Sequence, residues 1–210
     1  MSSIQVESLR EKILALIRQS LVAGEYKPGD IISAASMASD FNVSNSPVRE
    51  AMLELVSQGI LEVVRNRGFR VLPVSDHDLD EIYELRLWLE SRAMRELTLR
   101  GVDVEASRLL ALETIQHARR LELREFLDAD RRFHLSLLER LGNVRLTKVV
   151  ENLRDQTRLY GIQALAEAGK LVDTAKEHVA LLDAIQSGDP MVAENAMTLH
   201  LAHIRSDWAS

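Results

Sequence analysis

The sequence predicts a mainly α-helical protein in two parts, an N-terminal winged helix-turn-helix followed by a C-terminal antiparallel all-helical bundle. Two patterns carry the prediction: three helix-period segments lead into two short β-favouring runs, and beyond Pro73 only helix-period segments recur, divided by short breaks. Charge divides the chain at the same place. Residues 1–74 hold eight Lys/Arg and eight Asp/Glu, whereas 75–210 hold eighteen against twenty-four and carry the whole net charge of −6. All six histidines, His77, His117, His134, His178, His200 and His203, also fall in the second part. The boundaries expected are therefore 1–74 for the first domain and 75–210 for the second, which is where a metal or proton-linked function would have to lie.

Element by element, Leu9, Ile13, Leu16, Ile17 and Leu21 mark one face of a first helix over about 6–23, with Gly24 as its C-terminal signal. A Lys27-Pro28-Gly29-Asp30 turn leads to a short helix at about 33–41. A third helix, about 45–58, carries Val48, Ala51, Met52, Leu55 and Val56 on one face. The runs Ile60–Val64 and Gly68–Leu72, joined by Arg65, Asn66 and Arg67, form a hairpin. Further helices are expected at about 76–100, 103–117, 121–141, 144–167, 172–187 and 190–207; the last opens on Asp189 as cap with Pro190 at the first helical position. Connections this short favour antiparallel neighbours.

Composition removes several classes of function. With no cysteine there is no disulfide framework, thiol nucleophile or thiolate metal site, so any metal must be held by His and carboxylate. No apolar run is long enough to span a membrane, and the start MSSIQVESLREK lacks a signal peptide's apolar segment, so a cytoplasmic protein with no membrane partner is expected.

Two sites stand out. The third helix opens on Ser44, Asn45, Ser46 and Arg49, the short polar and basic groups that a recognition helix presents to base edges and phosphates. Pro47 is tolerated there because a first turn has no intrahelical amide bond to lose. The hairpin tip adds Arg65, Asn66, Arg67 and Gly68, suited to backbone or minor-groove contact. In the segment 121–141, Leu123, Phe126, Leu127, Leu137, Leu138 and Leu141 form an apolar stripe with Asp130 and His134 in its middle, one turn apart. A carboxylate on such a stripe is costly unless it is paired or ligates a metal. His178 shares a face with Leu181, Leu182 and Ile185; His200 shares one with Ala193, Met197 and Ile204, and His203 competes with it for the same role. One Asp and three His from three helices suit a borderline divalent ion such as zinc, nickel or manganese. His77 and His117 read as surface residues.

The segment 28–71, PGDIISAASMASDFNVSNSPVREAMLELVSQGILEVVRNRGFRV, resembles the GntR family of bacterial regulators in its PG turn, its PVREA core and its wing ending in R-G-x-x-V. Asn45 departs from the arginine usual in that family; asparagine matches adenine where arginine matches guanine. The second helix, with Ala34, Ala35 and Ser36, is also poor in charge, which leaves it fewer phosphate contacts. Residues 76–205 resemble the FadR-like, or FCD, branch through ELRLWLE at 84–90, DRRFH and LGN across 130–143, and EHVALLDAIQSGDP to His200. That resemblance implies Asp130, His134, His178 and His200 as metal ligands, zinc foremost, with a small carboxylic-acid effector beside the metal. It also implies a homodimer on a pseudo-palindromic operator in double-stranded DNA. Arg86 is the candidate for the effector's other end, with an i+4 ion pair to Glu90 as the competing role; Arg154 and Arg158 follow it. A helical-bundle metalloenzyme or metal-binding module is the rival reading. It lacks the Glu-x-x-His pairs of di-iron bundles and any H-E-x-x-H, and it leaves 28–71 without a purpose.

Overall fold

The computed structural model describes residues 9–22 and 24–208, and within its helices the side chains of 22, 158–161, 163, 164, 207 and 208 are outside that description. The chain divides into two compact units, Met1–Pro73 and Val74–Ser210.

In the first unit, α1 (Leu9–Val22) buries Ile13, Leu14, Ile17 and Leu21. The expected positions 6–8 and 23 lie outside the described residues. Gly24, at φ 71°, ends the helix, with its amide bonded to the Leu21 carbonyl at 3.0 Å. α2 (Ala34–Asp40) starts at Ser33, whose side chain accepts from the Ser36 amide, and α3 (Asn45–Ser57) buries Val48, Ala51, Met52 and Leu55 against it and α1. Strands β2 (Leu61–Val64) and β3 (Gly68–Val71) form the wing. A further strand, β1 (Ile31–Ile32), absent from the sequence-based expectation, pairs antiparallel with β3 and completes a sheet of order β1-β3-β2. Two residues are too few to show a period. β1 explains Gly68: at φ 132°, a Cβ there would meet the Ile32 carbonyl oxygen at 2.3 Å, so only glycine lets the two strands approach.

Every secondary-structure element among the described residues of the second unit is helical. A capping box at Ser75 and Asp78 starts α4 (Asp76–Arg86), and the chain continues through a π-helical turn, Leu87–Ser91, into α5 (Arg92–Leu99). The single helix expected over 76–100 is thus interrupted. A π turn carries one residue more than an α turn, and such insertions are frequent where a helix delivers a functional side chain; this one delivers Glu90 into the interior, 1% exposed. Then follow α6 (Glu105–Arg120), α7 (Leu123–Glu139), α8 (Val144–Glu167), α9 (Leu171–Gln186) and α10 (Pro190–Trp208). α6 packs on α7 and α9, and α10 on α5 and α9. Met94, Leu97, Phe133, Leu137, Leu181, Leu182 and Met197 belong to one buried core between them. None of the described helices is long and apolar enough to cross a membrane.

Candidate metal centre and nucleic-acid interface

Ser44, Asn45, Ser46 and Arg49 all lie exposed at the start of α3. Ser44 occupies the N-cap position without making a side-chain capping bond, and the Ser46 hydroxyl donates to Glu50 Oε1 at 3.3 Å. The Arg49 guanidinium lies 5.9 Å from the centroid of Phe69 on β3, so the recognition helix and the wing share a contact. Arg65, Asn66 and Arg67 are exposed at the β2–β3 turn, where Asn66 takes the left-handed conformation, φ 59°. Charge pairing separates the arginines of this unit into two sets. Arg10 bonds Glu54 at 2.8 Å, Arg18 bonds Gln58 at 3.0 Å and Arg70 bonds Glu62 at 2.5 Å. Arg49, Arg65 and Arg67 make no ion pair among the described residues, and they are the three on the expected DNA face.

In the second unit, α7 supplies Asp130 and His134, α9 supplies His178 and α10 supplies His200. All four are buried, the three imidazoles at 0–2% exposure. A nitrogen from each histidine lies within 4.8 Å of those from the other two. Asp130 Oδ1 is 3.3 Å from His178 Nε2 and 3.6 Å from His134 Nε2. Ligand atoms held at bonds of about 2.1 Å around one divalent ion sit roughly 3–3.5 Å apart, so this spacing suits a shared ion. The two nitrogens of His134 and the Nε2 atoms of His178 and His200 are buried without a hydrogen-bond partner among the described residues. An unsatisfied buried polar atom costs about 1–3 kcal/mol, and an apolar side chain in its place contributes about 1.5–3 kcal/mol by burial. For stability alone, four such nitrogens are a net loss. Neutral imidazoles with a carboxylate are the donor set of a zinc-type ion, and these residues fit one.

Behind the imidazoles lies a buried charge network. Arg154, on α8, bonds Asp130 Oδ2 at 2.8 Å and Glu90 Oε2 at 2.9 Å. Arg86 bonds the other Glu90 oxygen, Oε1, at 2.7 Å. Burial opposes charge on Asp130, but Arg154, then His134, outweigh it and hold the carboxyl well below its ordinary value. Glu90 is likewise held low against burial by Arg86 and Arg154. Burial and the Arg154 charge push His134 well below its ordinary value, with Asp130 opposing, and burial also lowers His178; both rings are neutral and have a lone pair to offer.

The structure brings Asp130, His134, His178 and His200 together and leaves His203 58% exposed, apart from the cluster. Arg86 has the ion pair with Glu90 that competed with its effector role, yet its Nη2 is buried without a partner among the described residues. Arg154 is more central than its sequence neighbours suggested, and the Arg158 side chain lies outside the described residues. His77 is exposed beside Glu81. His117, expected on the surface, is in fact only 18% exposed and bonds Glu122 Oε2 through Nδ1 at 2.7 Å. The sequence reading missed Thr114 and Glu177, which bond His178 and His200 from behind.

A winged helix with an unpaired basic face, followed by a helical bundle with a possible three-histidine metal site, defines the class of DNA-binding transcription regulators with a helical C-terminal domain. Comparison with known proteins agrees. Residues 9–71 match the bacterial regulatory proteins of the gntR family, and residues 81–203 match the FCD domain. The Nta operon transcriptional regulator of Aminobacter aminovorans is 31% identical over 65% of this chain and 66% of its own. The HTH-type transcriptional repressor RspR of Escherichia coli is 26% identical over 97% of this chain and 95% of its own. The solved structure of E. coli McbR/YncC superposes with a TM-score of 0.81 at 25% identity, covering 93% of this chain and 94% of that one. The chain belongs to the GntR family of bacterial transcriptional regulators, in the branch with an FCD domain, and is a regulator of operator DNA rather than an enzyme.

Because Arg154 serves two buried carboxylates, Arg154→Met should lower the unfolding free energy in urea by about 3–5 kcal/mol. Arg100→Met, which removes an exposed pair with Glu96, should cost less than about 1 kcal/mol. Equal, small losses would show that the bridge does not hold the network.

Proposed function

We propose that the chain is a cytoplasmic, homodimeric regulator whose operator affinity is set by a small carboxylic acid, bound beside a divalent metal, zinc foremost, at Asp130, His134, His178 and His200. The observation that carries this reading is the set of imidazole nitrogens buried around Asp130 without a hydrogen-bond partner among the described residues. A zinc-type ion there supplies a Lewis-acidic anchor for a carboxylate.

Charge argues for the anion. Arg86 and Arg154 cancel Glu90 and Asp130, and Glu177 behind His200 adds one negative charge. A divalent cation would leave the buried site positively charged, and an anionic ligand neutralises it. Arg86 Nη2 and Arg154 Nε, both buried without a partner among the described residues, offer N–H donors to such a ligand. On the DNA side, Ser44, Asn45, Ser46 and Arg49 read the major groove. Arg65, Asn66, Arg67 and Gly68 place the wing on backbone or minor groove. Two copies engage the two half-sites of a pseudo-palindrome, and effector and operator affinities are linked through the free energy that couples the two sites.

Two measurements test this. Arg49→Ala should abolish operator retention in a gel shift at fixed salt while leaving zinc content unchanged; full retention would take Arg49 out of the interface. In a thermal-shift screen of hydroxy-, keto- and dicarboxylic acids, at least one should raise the midpoint of the zinc-loaded protein. An acid at 100 times its Kd adds about 2.7 kcal/mol of stability. His178→Ala should lose both the zinc and the shift. No acid acting, or equal shifts in His178→Ala, would contradict the reading.

A further inference from the structure

We propose that Glu177 is a positioning residue of the metal centre: it holds the His200 ring so that Nε2 offers its lone pair inward, and His203 holds Glu177. The proposal rests on the metal reading above.

Glu177 is on α9, one residue before His178. Its Oε2 lies 2.8 Å from His200 Nδ1 and its Oε1 lies 2.6 Å from His203 Nδ1. A carboxylate only accepts, so both imidazoles donate from Nδ1. In a neutral ring one nitrogen carries the proton and the other the lone pair. In the neutral form of His200, with Nδ1–H given to Glu177, the lone pair is therefore on Nε2, the buried atom without a hydrogen-bond partner among the described residues.

The same logic acts on His178 by another route. The Thr114 hydroxyl has one proton and gives it to the Ala111 carbonyl at 2.7 Å. Towards His178 Nδ1, 3.0 Å away, it can only accept, so His178 also carries its proton on Nδ1 and its lone pair on Nε2. His134 has no such support; its nearest carboxylate oxygens, on Glu90 and Asp130, are both 3.6 Å away. Two of the three imidazoles thus have their tautomer fixed from behind, one by a neutral hydroxyl and one by a carboxylate. The carboxylate also makes its ring the more basic donor.

This gives His203 a role outside the ligand set. Exposed at 58%, it occupies the second Glu177 oxygen and orients the carboxylate from the solvent side. Removing it should weaken the centre only indirectly, so His77, exposed on α4, is the cleaner histidine control.

The test uses the full chain, wild type and as Glu177→Ala, Glu177→Gln, His203→Ala and His77→Ala. Imidazole 15N spectra of metal-free protein read the tautomers, and competition titration with zinc reads affinity. In wild type, His200 and His178 should both be protonated at Nδ1. Glu177→Ala should release the His200 tautomer, leave that of His178 unchanged and lower zinc affinity by about 10–100-fold. Glu177→Gln, whose carbonyl can still accept from one ring, should recover part of both. His203→Ala should lose less than the roughly tenfold lower end of that range and His77→Ala nothing. A His200 tautomer that survives Glu177→Ala, or wild-type zinc affinity in that variant, overturns the role of Glu177 while the metal reading stands. A wild-type chain that takes up no zinc overturns the metal reading and this role with it.

Discussion

The helical unit depends on the Arg154 bridge. One guanidinium on α8 meets Asp130 of α7 and Glu90 of the π-helical turn, with Arg86 closing the far side of Glu90. Without it, two carboxylates would lie at 1% and 7% exposure with one arginine between them. Ionised groups at that depth persist only when paired in good geometry. The bridge allows Asp130 to remain a carboxylate, and an ionised Asp130 among three buried imidazoles is what turns a polar defect in a helix bundle into a donor set. The backbone takes part as well, since the π turn interrupts an otherwise continuous helix where Glu90 must face inward.

The first unit follows the opposite rule. Its arginines away from α3 and the wing tip are satisfied within the unit, while Arg49, Arg65 and Arg67 remain exposed and make no ion pair among the described residues. Phosphate oxygens are the partners that such groups lack. The unit is neutral and the chain acidic, so overall charge does not favour DNA; what the unit offers is three exposed guanidinium groups that make no ion pair among the described residues.

Much of this was legible in the sequence because it is periodic. The faces of α3, α7 and α9, the hairpin, and Asp130 and His134 one turn apart all follow from spacing, whereas α1 buries Leu14 and leaves Leu9 and Leu16, expected on its inner face, exposed. Glycines and Pro190 marked most helix ends. Leu121 marks the α6–α7 junction in the left-handed conformation, φ 56°, where a leucine gives no such signal. β1 was too short to show a period, and the π turn leaves none in the apolar pattern of 76–100. The bridging role of Arg154, and Thr114 and Glu177 altogether, were hidden for a different reason: they depend on contacts 23–64 residues away in sequence, which no local pattern encodes. Of the two roles weighed for Arg86, the ion pair with Glu90 is present through Nε, while Nη2 is buried without a hydrogen-bond partner among the described residues.

The central claim is that the buried imidazoles and Asp130 form one metal centre. Anomalous X-ray diffraction recorded at the zinc absorption edge, from crystals of the protein purified without a chelator and supplied with zinc, tests it most directly. The account predicts one strong peak per chain enclosed by His134, His178, His200 and Asp130, with Arg154 still on the outer Asp130 oxygen. A peak at His203 or His77 instead, or a zinc-free cluster in which Arg154 has swung away from Asp130, would contradict it.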